Sequence, residues 1–553
     1  MAYRRMQKRR TTSKTFSQVT KNTVTRTLRS ALLAAISCAL IAQAPPPHPS
    51  VTTILDNHAA ALAAMHLHAP QTHETFGTIE GLGLQGTFHE WQAGNKERRD
   101  ERLGFRVQRE LRVGDNLWIE NTSGEIRELH GLIARRQLTA DFIDTGVFAK
   151  HPEAARFVER ATLPDGRAVY RLSIAPPKGE PFIVGIDAKT WLIDQKSYLE
   201  NDSPQVVTYS DYHVQNGMLI PFTEIDSNGD TKFDVTSHVT SVIVDQPIAD
   251  SIFAPLAPEI IATDAPVRVP LEIHNGLPFV KVTISGHAYR FLIDSGSQGN
   301  VLDPHVSNEL GLHPEGTLEI RGAERTPSLG VVETPPMNVG GIELPSRIAS
   351  VLDLSKILRG PVTIDGVLGY PFFAAAELRF DPDTSELTIA KPGLLPPLGD
   401  KLDVDTDREL AEIEATIDGT AKTRLLVDTG NSNELLLFQS FINAHQGLIM
   451  FAGNPAVANR GAGGSAAAVT AMVDELEIGK QRLYNRYTDV ILATAGAFAD
   501  RNDGGNVGYG VLHNFITTFD LADRSIYLQK ARDFDDGRFR QRTESGQGFP
   551  GRS

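Results

Sequence analysis

Two short segments place an aspartate between an apolar run and a glycine: Phe291-Leu292-Ile293-Asp294-Ser295-Gly296-Ser297 and Leu425-Leu426-Val427-Asp428-Thr429-Gly430-Asn431. An aspartate in such a turn projects its carboxyl from the end of a strand. The glycine lets another stretch of backbone come close, and the Ser or Thr hydroxyl can bond across to a neighbour. One such turn carries little weight, because Asp and Gly are enriched in β-turns on conformational grounds alone. Two that meet would do chemistry. Paired carboxyls within hydrogen-bond distance cannot both ionise, so they hold one proton over a wide pH range and titrate as a unit. One acts as base on a water while the other, as acid, polarises a carbonyl, and neither step needs a metal or an organic cofactor.

The surroundings of the two aspartates repeat in order. Asp428 follows Asp294 at an offset of 134; Gly311-Leu312 and Gly447-Leu448 follow at an offset of 136; Arg321-Gly322-Ala323 and Arg460-Gly461-Ala462 follow at 139. Leu368-Gly369-Tyr370 and Val507-Gly508-Tyr509, then Phe380-Asp381 and Phe519-Asp520, keep the offset of 139. The second copy is therefore the longer one, and all of its extra length falls between its aspartate and its Arg-Gly-Ala turn. Upstream, Val280, Val282 and Ile284 alternate with Lys281, Thr283 and Ser285, as Ile413, Ala415 and Ile417 alternate with Glu414, Thr416 and Asp418. Each run reads as a half-buried strand that turns at Gly286 or Gly419 into the strand bearing the aspartate.

A strand delivering Asp-Thr/Ser-Gly, a glycine-containing loop, and an apolar pair followed by glycine together resemble the retropepsins and related bacterial aspartyl-protease-like domains, over roughly 270 residues. The resemblance implies catalytic Asp294 and Asp428, turns held together by Ser295 and Thr429, and close approach permitted by Gly296 and Gly430. Ser297 and Asn431 follow, where a hydroxyl or amide would bond a carboxylate oxygen; Asn departs from the Ala or Ser commonest there. Arg321, Gly322 and Ala323, with Gly461, Ala462, Gly463 and Gly464, are candidate flaps, the alternative being ordinary hairpin tips. Such an enzyme would cut polypeptide, and with both copies in one chain a monomer would suffice. A silent site on the same fold, or a glycosidase, are the competing readings. Glycosidase carboxylates stand about 5 Å or more apart and are not signalled by paired Asp-Thr/Ser-Gly turns.

The elements before the repeat read as a helix over Asp56–Met65 and short strands at Gly77–Trp91, Gly104–Val113, Ala168–Ile174, Pro181–Ile186 and Val206–Tyr212, separated by turns such as Asp165-Gly166 and Asn216-Gly217, and the region closes with Ile243–Leu256. With Gly77-Thr78-Ile79-Glu80, Gly86-Thr87-Phe88, Asn216-Gly217-Met218-Leu219-Ile220-Pro221-Phe222 and Pro247-Ile248-Ala249-Asp250-Ser251-Ile252-Phe253, this layout resembles the open β-barrel of bacterial outer-membrane lipoprotein carriers, the LolA-like fold. That resemblance implies either an apolar cup for an acyl chain or extended peptide, or a packed accessory domain. The expected architecture is mainly β: a LolA-like open barrel with helices over 50–256, retropepsin-like lobes over 265–393 and 400–532, and a disordered tail over 533–553.

At 553 residues the chain is long enough for several such units. The net charge of -14 hides an asymmetry, since residues 1–44 carry nine Lys or Arg and no acid. The acidic remainder argues against a nucleic-acid partner. A basic stretch from Arg4 to Arg29, an apolar run from Ala31 to Ala42 and Ala42-Gln43-Ala44 have the layout of an export signal over 1–44, implying a periplasmic or cell-envelope protein. The one cysteine, Cys38, faintly resembles a lipoprotein processing site but reads better as a small apolar residue in the signal core. Asp226–Asp230 opens like a calcium loop, yet Thr231 stands where a glycine is needed and Ser237 where a glutamate is, so a hairpin turn is expected. His66, His68 and His73 lack the partners of a metal site.

Overall fold

The computed structural model describes residues 48–67, 70–200, 203–319, 328–345, 347–355, 362–451, 457–461, 464–493 and 496–540. The export-like segment and Cys38 lie outside them, as do His68 and residues 541–553.

The chain from Thr72 to Val244 builds a 13-stranded antiparallel sheet. Its first strand, Thr72–Gly81, pairs with its last, Val235–Val244, and its two edges are the consecutive strands Ile126–Glu128 and Ala155–Thr162. The sheet thus opens between its sixth and seventh strands, and helix Gly131–Asp144 makes the connection across that opening. Helix Val51–Ala63, capped by Ser50 Oγ accepting from Thr53 N, joins it over the sheet's far end. There Ile54, Leu55, Ala140 and Ile143 pack with Leu172, Ile174, Val184 and Ile186.

Elsewhere the sheet carries a smaller apolar cluster of Ile79, Phe88 and Leu103 beside a set of ion pairs. Glu90 stands opposite Arg99 in the strand register, Arg99 also bonds Glu101, and Arg112 meets Glu97 and Asp141. Glu224 lies in the field of Arg99 and Lys196, and Lys196 bonds Asp144 Oδ2 at 2.5 Å. Ion pairs thus stand on successive strands of the sheet that the expected cup would use. The strand Lys96–Leu103, with seven polar residues before its single leucine, has no hydrophobic alternation and escaped the sequence reading for that reason. The closing segment Ile243–Leu256 begins in the last residues of the strand ending at Val244 and continues into a 3₁₀ turn at Asp250–Phe253. The calcium-like segment is a loop between two paired strands, with Asp230 Oδ1 accepting from Lys232 N, and His73 faces Glu90 at 3.8 Å.

Each C-terminal lobe has its own sheet. In the first, Leu277–Ile284 buries Val280, Val282 and Ile284 and turns at Ser285-Gly286, both with positive φ, as a two-residue hairpin requires. In the second, Glu412–Ile417 pairs with Ala421–Asp428 in the same way. A six-stranded sheet joins the lobes: its central pair, Glu377–Asp381 and Phe515–Asp520, sets Leu378 opposite Phe519 and Phe380 opposite Thr517. Phe373, Phe380 and Phe519 stack there with ring centroids 5.0–6.3 Å apart, within one core that runs through both lobes. The repeated Phe-Asp pairs of the sequence are these facing strands.

The described residues from Ser50 onward form one compact unit. Arg127 of the N-terminal sheet reaches Glu409 Oε1 at 3.1 Å, and His130 N donates to Asp407 Oδ1 at 3.3 Å. Within the expected disordered tail, residues 533–540 are held against the second lobe: Asn485 Nδ2 donates to Gly537 O at 3.0 Å, and the fully buried Arg486 joins Glu434 and the carbonyl of Asp535, while 541–553 lie outside the described residues.

Candidate active site

Each aspartate ends a strand locked in parallel to a short downstream strand. His287–Ile293 pairs with Gly366–Leu368, and Asp294 N donates to Leu368 O at 3.0 Å. Ala421–Asp428 pairs with Gly505–Gly508 in the equivalent register. The turns close through Ser297 N to Asp294 O (3.2 Å) and Asn431 N to Asp428 O (3.3 Å). The glycine after each downstream strand is sterically required. A Cβ on Gly369 would stand 2.6 Å from Ser297 O, and one on Gly508 would stand 2.7 Å from Asn431 O. The following tyrosine nitrogens, of Tyr370 and Tyr509, donate to those same two carbonyls at 2.7 Å.

The two turns grip each other across the lobes. Ser295 N donates to Thr429 Oγ1 (2.9 Å), whose hydroxyl donates to Ile293 O (2.8 Å). Reciprocally, Thr429 N donates to Ser295 Oγ (3.0 Å), whose hydroxyl donates to Val427 O (2.6 Å). Both side chains are 1% exposed, so the four bonds stand in a dry interface. The grip sets each carboxyl against the opposite glycine. A Cβ on Gly296 would meet Asp428 Oδ1 at 2.5 Å, and one on Gly430 would fall inside 3.0 Å of the Asp294 carboxyl.

Asp294 and Asp428 thus lie side by side, each carboxyl against the glycine of the opposite turn. Gly296 N donates to Asp294 Oδ1 at 2.8 Å and Gly430 N to Asp428 Oδ1 at 3.0 Å. Surrounding protein pushes both carboxyls above the usual range, and the negative charge of Asp294 pushes Asp428 up further. Their half-buried setting leaves an opening to solvent. A pair in this state holds one proton between two oxygens that face a reachable surface.

Ser297 and Asn431 do not bond the carboxylates as expected. Ser297 Oγ donates to Gly299 O (2.8 Å) and Asn431 Oδ1 accepts from Asn433 N (3.0 Å), so each stiffens its own loop. The amide that does reach the pair is Asn506, whose Nδ2 donates to Asp428 Oδ2 at 2.8 Å. The repeat offset of 139 aligns Asn506 with Val367, and that polar-for-apolar exchange was the available signal. Gln298, next to the first turn, ties it to the second lobe by donating to Arg408 O at 2.7 Å. Arg408 is itself held by Asp500 (2.7 Å), Asp503 and Glu412. Of the candidate flaps, Arg321, Gly322 and Ala323 lie outside the described residues. Gly461 and Gly464 pair as the last rung of the hairpin Val457–Gly461/Gly464–Ile478, while Ala462 and Gly463 at its tip lie outside the described residues.

Residues 280–372 and 413–509 match the aspartyl protease family model. Both lobes match one family. The matched segments include both aspartate turns and both Gly-Tyr elements. No curated protein matches the chain. Among solved structures, a DUF1329 family protein from Desulfovibrio piger aligns at 12% identity over 37% of this chain and 98% of its own, with a TM-score of 0.27. A putative outer membrane lipoprotein-sorting protein domain from Vibrio parahaemolyticus aligns at 10% identity over 37% and 97%, TM-score 0.27. A LolA superfamily protein from Nitrosomonas europaea aligns at 14% identity over 37% and 98%, TM-score 0.26.

Proposed function

We propose that the two lobes form an aspartic endopeptidase in which Asp294 and Asp428 activate one water molecule. The observation that carries this reading is the reciprocal grip of Ser295 and Thr429, which sets each carboxyl against the glycine of the opposite turn. The singly protonated pair takes a proton from water onto its ionised member as the oxygen attacks a peptide carbonyl, and its protonated member donates to that carbonyl oxygen. On collapse of the tetrahedral adduct the protonated member donates to the leaving nitrogen while the ionised member takes the proton of one adduct hydroxyl, whose oxygen becomes the carbonyl of the new carboxyl group, so the pair ends as it began. Because one chain supplies both carboxyls, a monomer is sufficient. The substrate is an extended polypeptide and the working place the cell envelope. The face bearing Glu90, Arg99, Glu224 and Lys196 suits a polar peptide segment better than an acyl chain, because ion pairs give up hydration to an apolar ligand at a cost.

The test is cleavage of unfolded polypeptide by the purified protein, with Asp294→Asn, Asp428→Asn and a statine-type transition-state mimic. Each substitution and the mimic should abolish cleavage. Persisting cleavage in either variant would overturn the shared pair. No cleavage of any peptide library by the parent protein would return the lobes to a scaffold.

A further inference from the structure

The two halves of the carboxyl pair are not equivalent. Asn506 lies on Gly505–Gly508, the strand that runs parallel to the one bearing Asp428. Its Nδ2 donates to Asp428 Oδ2 at 2.8 Å, the oxygen that the turn amide of Gly430 does not use. The residue is 4% exposed, and its Oδ1 is buried without a hydrogen-bond partner. A buried acceptor left unsatisfied costs free energy, so an amide is kept there for its donor. In the first lobe the register position is Val367, which pairs opposite Leu292 as Asn506 pairs opposite Leu426. Asp294 therefore has the turn amide of Gly296 but, among the described residues, no side-chain amide to match Asn506.

We propose that Asn506 is a positioning residue that orients Asp428 and favours its ionised form, giving the pair a built-in asymmetry that the first lobe lacks. This rests on the peptidase reading for its meaning but not for its test. A hydrogen bond to a charged group stabilises the ionised state, so its removal raises the proton affinity of Asp428. For a coupled pair the consequence does not depend on which acid keeps the proton. The doubly ionised state always contains ionised Asp428, so the sum of the two apparent pKa values must rise. If the lower value moves, Asp428 is the ionised member and the base; if the upper one moves, Asp428 holds the proton and is the acid.

The experiment uses the full chain with ¹³Cγ-labelled aspartate, the pair's signals being identified through Asp294→Asn and Asp428→Asn. Titration is compared between the parent protein and Asn506→Val, which gives the second lobe the residue of the first. The summed apparent values should rise by about one to two pH units, the size of a hydrogen bond to a charged group. Val367→Asn, which builds the same donor on the first lobe, should lower the sum and keeps the test available if Asn506→Val does not fold. Unchanged values in both variants would overturn the inference, since an amide free to turn over and accept from the protonated acid would stabilise both states alike. A shifted titration in a protein that cleaves nothing would leave Asn506 in its role and remove the peptidase. In an active protein, the same shift should appear in one limb of the kcat/KM profile against pH, which a merely structural change would not move.

Discussion

Replacing Gly430 by alanine should disable the pair while leaving the fold standing. The added methyl would stand inside 3.0 Å of Asp294 Cγ and of both its oxygens, whereas ordinary contact begins near 3.4 Å. The carboxyl has little room to retreat, since Gly296 N holds Oδ1 at 2.8 Å and Asp428 lies beside it. Nor can the turn withdraw without breaking the grip at the adjacent Thr429. Relief requires a displacement on the order of 1 Å, and a misplacement of that size at a reacting group costs about 10²-fold. Overpacking at such a site costs about 1–3 kcal/mol of stability. The assay is kcat/KM for cleavage of unfolded polypeptide, measured well below the melting temperature. Gly286→Ala is the control: it forces alanine into a positive φ with nothing within 4 Å, so it should lower stability without touching the pair. A Gly430→Ala protein cleaving within a few-fold of the parent would refute the claim that the lobes press carboxyl against glycine.

Two further measurements test the interface and its charge. Ser295→Ala and Thr429→Val each leave buried backbone partners unsatisfied and should each cost about 2–4 kcal/mol in chemical unfolding; because the four bonds form one network, the double variant should lose clearly less than the sum, and simple additivity would mean the two hydroxyls act independently. Both carboxyls bind protons more tightly in the folded chain than in the unfolded one. Their contribution to stability is therefore complete below about pH 4 and is lost as pH rises through the folded values. Asp428→Asn should accordingly gain melting temperature over the parent as pH rises toward neutrality, and parallel stability curves would contradict the shared burial of the pair.

The aspartate turns were legible because they are local. Strand, turn and glycine lie within one short segment each, and the offset of 139 carried the second Gly-Tyr element onto the first before any contact was known. Beyond the turns Val301 faces Val367 as Leu436 faces Asn506, so the pairing of the downstream strand recurs in both copies. What escaped depends on partners far along the chain. The six-stranded junction needs Leu378 to meet Phe519, and no periodicity within either strand announces that. Helix Gly131–Asp144 buries only Thr139, Ala140 and Ile143, too narrow a stripe to stand out among its charged residues. The ion-paired strand Lys96–Leu103 reads as a loop until Glu90 and Arg112 are placed beside it, against Arg99 and Glu97. Ser297 and Asn431 were given the carboxylates because they adjoin them in sequence, while the donor arrives from far downstream on another strand.

Those departures share a cause. A pair built from two identical chains must carry every residue twice, so an amide offered to one carboxyl is offered to both. Here the two copies lie in one chain and can diverge: Asn506 answers Val367, Asn431 answers Ser297, and Glu434, which binds Arg486 and Arg540, occupies the position of Asn300, whose amide oxygen accepts from Gly369 N. The parts that must meet at the junction have not diverged in this way, since the Ser and Thr hydroxyls are interchangeable donors and both glycines are held by the opposite carboxyl. The symmetric parts set the distance between the two acids, and the asymmetric ones are free to decide which acid gives up its proton first.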